Sequence, residues 1–331
     1  MIVRWGLSEL PAVLAEAAIE RPLVVATPRW AELSDRLPLS RGARLFDGVR
    51  AHAPVETVEE AVAVAVAAGA DGLLAVGGGS AIDTGKAVSA RLGLPLVSVP
   101  TTYSGAEWTR SFGMRDEARG VKAGGGGANP VGIVYEPELT LGLLAPESGG
   151  TAMNALAHCA EALYVPGRSG ETDAEALAGA RLIAANLARV LRDRSDLAAR
   201  RELLEGAMHA GAALAGAGLG LAHAMAQAIG GRYGAPHGAL NAVCLPPALR
   251  FNAEVAAEPL SRFATAIGAR EAADGAAELA RLAGFERLRD LGVPDDELGE
   301  LAERIVERPG ARMNPRSATV DETVGLLRSV W

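Results

Sequence analysis

Three of the chain's five histidines sit in alanine- and glycine-rich stretches of helical spacing: MNALAHCAEAL, LGLAHAMAQAIGG and GAPHGALNAV, carrying His158, His223 and His237. Asn154 precedes His158 by four residues, and Gln227 follows His223 by four, so each amide shares a helix face with its histidine. His237 follows Pro236 at a helix start. One histidine on an apolar helix reads as a core residue, but three in this pattern read as a converging polar site. Imidazoles there can ligate a metal or move protons. Three neutral histidines and one oxygen would suit iron or zinc. Asn154, however, is a neutral amide where a carboxylate would offset the ion's charge, which weakens the metal reading.

A second chemical signal lies in residues 71–86, DGLLAVGGGSAIDTGK. An apolar run at 73–76 reads as a buried strand. Gly77, Gly78 and Gly79 form a turn, and Ser80 is placed as the cap of a helix continuing through Ile82 and Val88. Glycines allow close approach to the backbone, and a helix N-terminus favours an anion, so phosphate is the natural guest. The spacing matches neither G-x-G-x-x-G nor the phosphate-loop pattern; alone, it could be only a tight turn. A second apolar run at 94–99 ends at Pro100, before Thr101, Thr102, Tyr103, Ser104 and Gly105. Parallel strands joined by a helix would bring both polar ends to one sheet edge, where open α/β sheets bind ligands.

These residues need a frame. Strands are expected at 2–5 and 22–27, with Ser8 capping a helix between them. A short helix and a strand at 44–46 come next, then a helix opened by Thr57 and stopped by Gly69. The alternation predicts a parallel α/β sheet. Residues 105–131 read as irregular, with the glycine run 124–127 a loop or hairpin end and 132–135 a last strand. Beyond about 139 the spacing is helical, with segments at 149–164, 172–193, 198–217, 219–231, 239–254 and 257–283. The reading is therefore an α/β domain over 1–145 and an all-α domain over 146–331.

Composition sets the outer limits. A chain of 331 residues, 49% of them hydrophobic, can bury a large core in two domains. A net charge of −8 without a basic cluster argues against a nucleic-acid partner. Cys159 and Cys244 form no secreted framework, which suits a reducing cytoplasm. No apolar run is long enough to span a membrane, and the opening MIVRWGLSEL has no signal core.

Taken together, GGGSAIDTGKA (77–87), PTTYSGAE (100–107), VYEPELTLGL (134–143), SGGTAMNALAHCAEALYVP (148–166) and NPRSATVDETVGLLRSVW (314–331) resemble the iron-containing alcohol dehydrogenase superfamily. Within it they are most similar to the maleylacetate reductase branch. The resemblance implies a Rossmann-like dinucleotide-binding domain, a helical domain, and a cleft holding nicotinamide and substrate. It implies NADH or NADPH as cofactor and reduction of the C=C of an unsaturated oxo-acid. Hydride addition to an enone-like carbon leaves an enolate that a proton donor can quench.

Residue by residue, the resemblance gives Gly77, Gly78, Gly79, Ser80, Asp83, Thr101, Thr102, Ser104, Lys122 and Thr27 as cofactor-binding. It aligns Asn154, His158, His223 and His237 with the metal ligands of the metal-dependent branch. Asparagine at the first position is also a feature of maleylacetate reductases, so these four are catalytic here and no metal is expected. Arg110, Arg232, Gln227 and Tyr103 are assigned to the substrate, the two arginines as carboxylate anchors. Gln227 stands where both branches usually carry histidine, Arg110 where proline is usual, Gly238 and Asn241 follow the alcohol dehydrogenase pattern, and loop 119–131 is short. Two other readings stay open: a metal-dependent alcohol dehydrogenase using Asn154 as an oxygen ligand, and a non-redox binding protein or lyase. The expected partner is a small carboxylate substrate, and the expected assembly is a homodimer.

Overall fold

The computed structural model describes residues 1–30, 37, 39, 42–116 and 118–331. The short helix expected ahead of the strand at 44–46 falls largely outside them. The chain divides into two compact units, Met1–Thr102 with Ala106–Thr140, and Tyr103–Gly105 with Leu141–Trp331.

The first unit contains β1 (Ile2–Trp5), β2 (Pro22–Ala26), β3 (Arg44–Phe46), β4 (Gly72–Gly77) and β5 (Pro95–Pro100). A hairpin of β6 (Phe112–Asp116) and β7 (Val121–Gly125) leads to β8 (Asn129–Tyr135). Six of these strands form one parallel sheet in the order β1-β8-β5-β4-β2-β3. Helices α1 (Leu10–Glu16), α2 (Val55–Ala68) and α3 (Gly79–Leu92) connect them. Alternate strand residues feed two cores. Leu23, Val25, Leu73, Ala75 and Leu96 pack with Val58, Ala61 and Ile82. Val24, Ala26, Leu74, Val76, Val97 and Val134 pack with Leu10, Val13 and Leu14. A sheet covered on both faces gives strands that read as unbroken apolar runs, which is why these were legible.

Three local expectations are corrected. Ser8 caps nothing: it lies in a 3-10 turn, Leu7–Glu9, ahead of α1. Thr57 does not open α2, which starts at Val55 after Pro54; its hydroxyl instead accepts from Arg50 Nε at 2.7 Å. The stretch 105–131 is not irregular throughout, because β6 and β7 pair antiparallel within it, with Arg115 opposite Lys122. Gly124 and Gly125 belong to β7, and the Phe112 ring occupies the space a side chain on Gly125 would fill.

A buried polar cluster ties the base of the hairpin to α3. Lys86, 1% exposed, donates to the carbonyls of Ala106 (2.8 Å) and Ser111 (2.5 Å) and to Thr109 Oγ1 (3.0 Å), and pairs with Asp83 (2.8 Å). Glu107 accepts from the Tyr135 hydroxyl at 2.8 Å, and burial holds its carboxyl above the usual range. A raised folded-state pKa gives stability below the unfolded pKa that is lost as pH rises toward the folded one. Glu107→Gln keeps the acceptor and removes the titration, so its advantage over wild type should grow as pH rises above the ordinary carboxyl range. Parallel melting-temperature profiles for the two proteins would contradict this.

The second unit is helical: α4 (Ala145–Ala162), α5 (Gly170–Arg192), α6 (Leu197–Ala217), α7 (Leu221–Tyr233), α8 (His237–Asn252), α9 (Ala257–Ala266), α10 (Ala272–Leu282), α11 (Leu298–Val306), α12 (Pro309–Arg312) and α13 (Val320–Ser329). The helix expected over 257–283 is two, broken where Gly268 takes φ +71°. Among the described residues no single helix is long and apolar enough to cross a membrane.

Candidate active site

In the first unit β4 ends at Gly77 and α3 begins at Gly79, with Gly78 as N-cap. No side chain caps this helix, so its first N–H groups face outward in the manner of an anion site. Ser80 is not the cap: its Oγ accepts from the His52 N–H at 3.0 Å and fixes the loop before α2. Gly77 pairs with Pro100 across the sheet, and the Thr101 N–H donates to the Gly77 carbonyl at 3.0 Å, so both polar strand ends meet at one edge.

Gly78 is demanded by the protein itself, since a Cβ there would lie 2.8 Å from Thr102 Cγ2. We therefore expect Gly78→Ala to lower the melting temperature, and Thr102→Ser, which removes that methyl, to restore it in the double variant. Additive effects of the two changes would show that the contact does not set the requirement.

The remaining residues assigned to the cofactor divide. Thr27 is half-buried at the end of β2. Asp83 is engaged within the unit, one oxygen on Lys86 and the other accepting from the Gly113 N–H at 3.1 Å. Lys122 lies across Gly113, where its Cε would be 2.6 Å from an added Cβ. Arg110 is exposed ahead of β6. Ser104 belongs to the second unit, and its carbonyl accepts from Asn154 Nδ2 at 3.0 Å. Tyr103 is a correction. It is fully buried and its hydroxyl is taken by Arg200 at 3.0 Å, leaving no surface for a substrate.

The second unit brings the histidines together. Asn154, His158 and Glu161 come from α4, His223 and Gln227 from α7, and His237 and Asn241 from α8. The His158 and His223 rings stack with centroids 4.6 Å apart, and His237 lies 5.8 Å from His223. Close backbone approach makes this possible: a side chain on Gly238 would run into the Gly150 carbonyl, so α8 starts directly against α4.

Glu161 orients His223. The carboxylate is fully buried and accepts from the N–H groups of Gly220 (2.8 Å), Ala222 (2.7 Å) and His223 (3.3 Å) at the start of α7. Its Oε2 also lies 2.7 Å from His223 Nδ1. Oxygens that accept throughout leave Nδ1 carrying the proton, so Nε2, buried and without a hydrogen bond, is the working nitrogen. Sequence reasoning missed Glu161. The signal was an acid three residues after His158 in an otherwise apolar helix, where burial demands a partner.

Asn241 links the rest. Its Nδ2 donates to Asn154 Oδ1 at 2.7 Å and approaches His237 Nε2 at 3.1 Å. Two of the four donor atoms a metal would need are thus hydrogen-bonded to one amide. The set also carries no negative charge of its own. Three neutral imidazoles and an amide oxygen would leave the charge of a divalent ion unneutralised.

Arg232 is a second correction. It lies on the face of α7 opposite His223 and is already paired with Glu297 (2.5 Å) and Glu300 (3.0 Å). Gln227 shares the His223 face, and its Oε1 accepts from Arg308 Nη1 at 3.4 Å.

Two family models cover nearly the whole chain. Residues 3–137 match that for iron-containing alcohol dehydrogenase, and residues 149–331 match the C-terminal part of the Fe-containing alcohol dehydrogenase family. The chain belongs to this family. Maleylacetate reductase of Burkholderia cepacia is 36% identical over 317 residues, covering 94% of this chain and 89% of the relative. Among solved structures, maleylacetate reductase from Agrobacterium tumefaciens superposes with a TM-score of 0.90 at 31% identity, covering 100% of this chain and 95% of that one. The iron-containing alcohol dehydrogenase from Corynebacterium glutamicum gives 0.92 at 30%, covering 100% and 94%. The family and its relatives are oxidoreductases, and so is this chain.

Proposed function

We propose that the chain is an NAD(P)H-dependent reductase of an unsaturated oxo-acid, of the kind named by its maleylacetate reductase relatives, and that it works without a metal. The observation that carries this is the His223–Glu161 pair beside two further imidazoles. The uncapped N-terminus of α3, with Gly77, Gly78 and Thr102 around it, fits the pyrophosphate of a dinucleotide. When bound, reduced nicotinamide supplies a hydride to the olefinic carbon β to the ketone.

The chain's own residues handle the charge and the proton. The electron pair of the C=C moves onto the carbonyl oxygen as an enolate, which imidazole N–H groups hydrogen-bond. His223, as imidazolium, releases the Nε2 proton to the α-carbon and gives the saturated oxo-acid. The Glu161 carboxylate, 2.7 Å from Nδ1, keeps Nδ1–H in place and the ring oriented through the transfer. The family is named for iron. The metal-free reading rests on Asn154 being neutral and on Asn241 engaging Asn154 Oδ1 and His237 Nε2.

The experiment is NADH and NADPH oxidation by the purified protein with maleylacetate. Turnover with release of the saturated acid supports the reading, and inertness with both cofactors overturns it. Both cofactors are expected to serve. Thr27 stands where an acidic residue would repel a 2′-phosphate, and Arg29 is exposed nearby to pair with one. A preference for NADH above about a hundredfold, about 2.7 kcal/mol, would contradict this.

A further inference from the structure

Arg308 is a part-buried arginine of the helical unit that lies beside the histidine-bearing helix. It precedes α12, which lies against the start of α7: a Cβ on Gly310 would meet the Gly220 carbonyl and, at 3.5 Å, Ala224. The side chain is half-buried, and burial lowers its pKa. Its Nε is shielded from solvent and makes no hydrogen bond, and its Nη1 meets only the neutral Gln227 oxygen, at 3.4 Å. Among the described residues no carboxylate pairs with Arg308, whereas Arg232, Arg250, Arg262, Arg304 and Arg316 each have one. Taking a guanidinium partly out of water without a counter-charge is unfavourable, and an anion arriving from solution would relieve it.

The position gives that anion a place. Gln227 lies one turn from His223 on the same face of α7, so a cation held by Gln227 is one helical turn along from the imidazole that handles the proton. We infer that Arg308, positioned by Gln227, is the anchor for a substrate carboxylate. With Nη1 directed to the amide, Nη2 is left for the carboxylate, on a planar group whose geometry a lysine could not reproduce. Gln227 suits this task because it accepts a hydrogen bond without neutralising the charge; a glutamate there would occupy the arginine permanently. The inference rests on reading the site as one for an oxo-acid, and its test separates the two.

The test is calorimetric titration of the full chain with maleate, a small dicarboxylate, combined with kinetics on maleylacetate. Wild type should bind maleate, and Arg308→Gln should weaken binding at least tenfold, with Arg308→Lys between them. Gln227→Glu should weaken it by a similar factor while preserving the fold, which keeps the test valid if Arg308→Gln does not fold. In turnover, Arg308→Lys should raise KM with little change in kcat, a split that a merely structural defect would not produce. Unchanged maleate binding in Arg308→Gln or Gln227→Glu overturns the inference, and so does wild type that binds no maleate. Wild type that binds maleate through Arg308 yet reduces no oxo-acid upholds the anchor and removes the reductase reading.

Discussion

Glu161→Ala is expected to cost about 3–5 kcal/mol of folding stability, because it leaves several buried hydrogen-bond donors without their acceptor. The carboxylate satisfies three backbone N–H groups and one imidazole nitrogen with no exposure to water. Without it those donors are buried and unpaired, each an independent loss of about 1–3 kcal/mol before relaxation. Urea denaturation measures this directly. Glu161→Gln keeps the volume and part of the acceptor capacity, so it should be milder in stability and severe in function. An amide no longer fixes Nδ1 as the donor or holds the ring as the carboxylate does, and we expect kcat to fall by about 10²–10⁴-fold, the range for losing general acid catalysis. A folded Glu161→Gln protein with wild-type turnover would remove His223 from the role of proton donor.

The second large effect is expected from Asn154→Asp. A carboxylate at this position would offset part of a divalent charge that neutral imidazoles and an amide leave intact. Zinc affinity should rise by about a hundredfold or more, about 2.7 kcal/mol. The same change removes the Nδ2 donor to the Ser104 carbonyl, which ties residues 103–105 to α4. Reductase turnover should therefore fall as metal affinity rises. Equal zinc content in the two proteins after dialysis against zinc would show that the charge at residue 154 does not govern the site.

The glycine turn and the buried strands were legible because parallel strands covered on both faces read as continuous apolar runs, and because only glycine tolerates the approach of Thr102. The histidine cluster was legible through the four-residue spacing of Asn154 with His158 and of His223 with Gln227. Its wiring was not. Nothing in the sequence brings Glu161 to the start of α7, or Asn241 between Asn154 and His237, because both depend on how close glycines let three helices approach. Helix phase alone could have turned Arg232 away, since it falls opposite His223. Arg308 left no trace in the sequence: its interest is the absence of a counter-ion, which exists only once the chain is folded. Hairpin β6–β7 was hidden for another reason, as its half-exposed, glycine-rich strands carry no apolar alternation.

Metal-free reduction is tested most directly by turnover of maleylacetate with protein stripped by a chelator, its iron and zinc content determined on the same sample. Undiminished NAD(P)H oxidation is expected at a metal content far below one ion per chain. Activity lost on stripping and restored by iron or zinc would contradict this, and would show that Asn154 ligates a metal despite its hydrogen bond to Asn241.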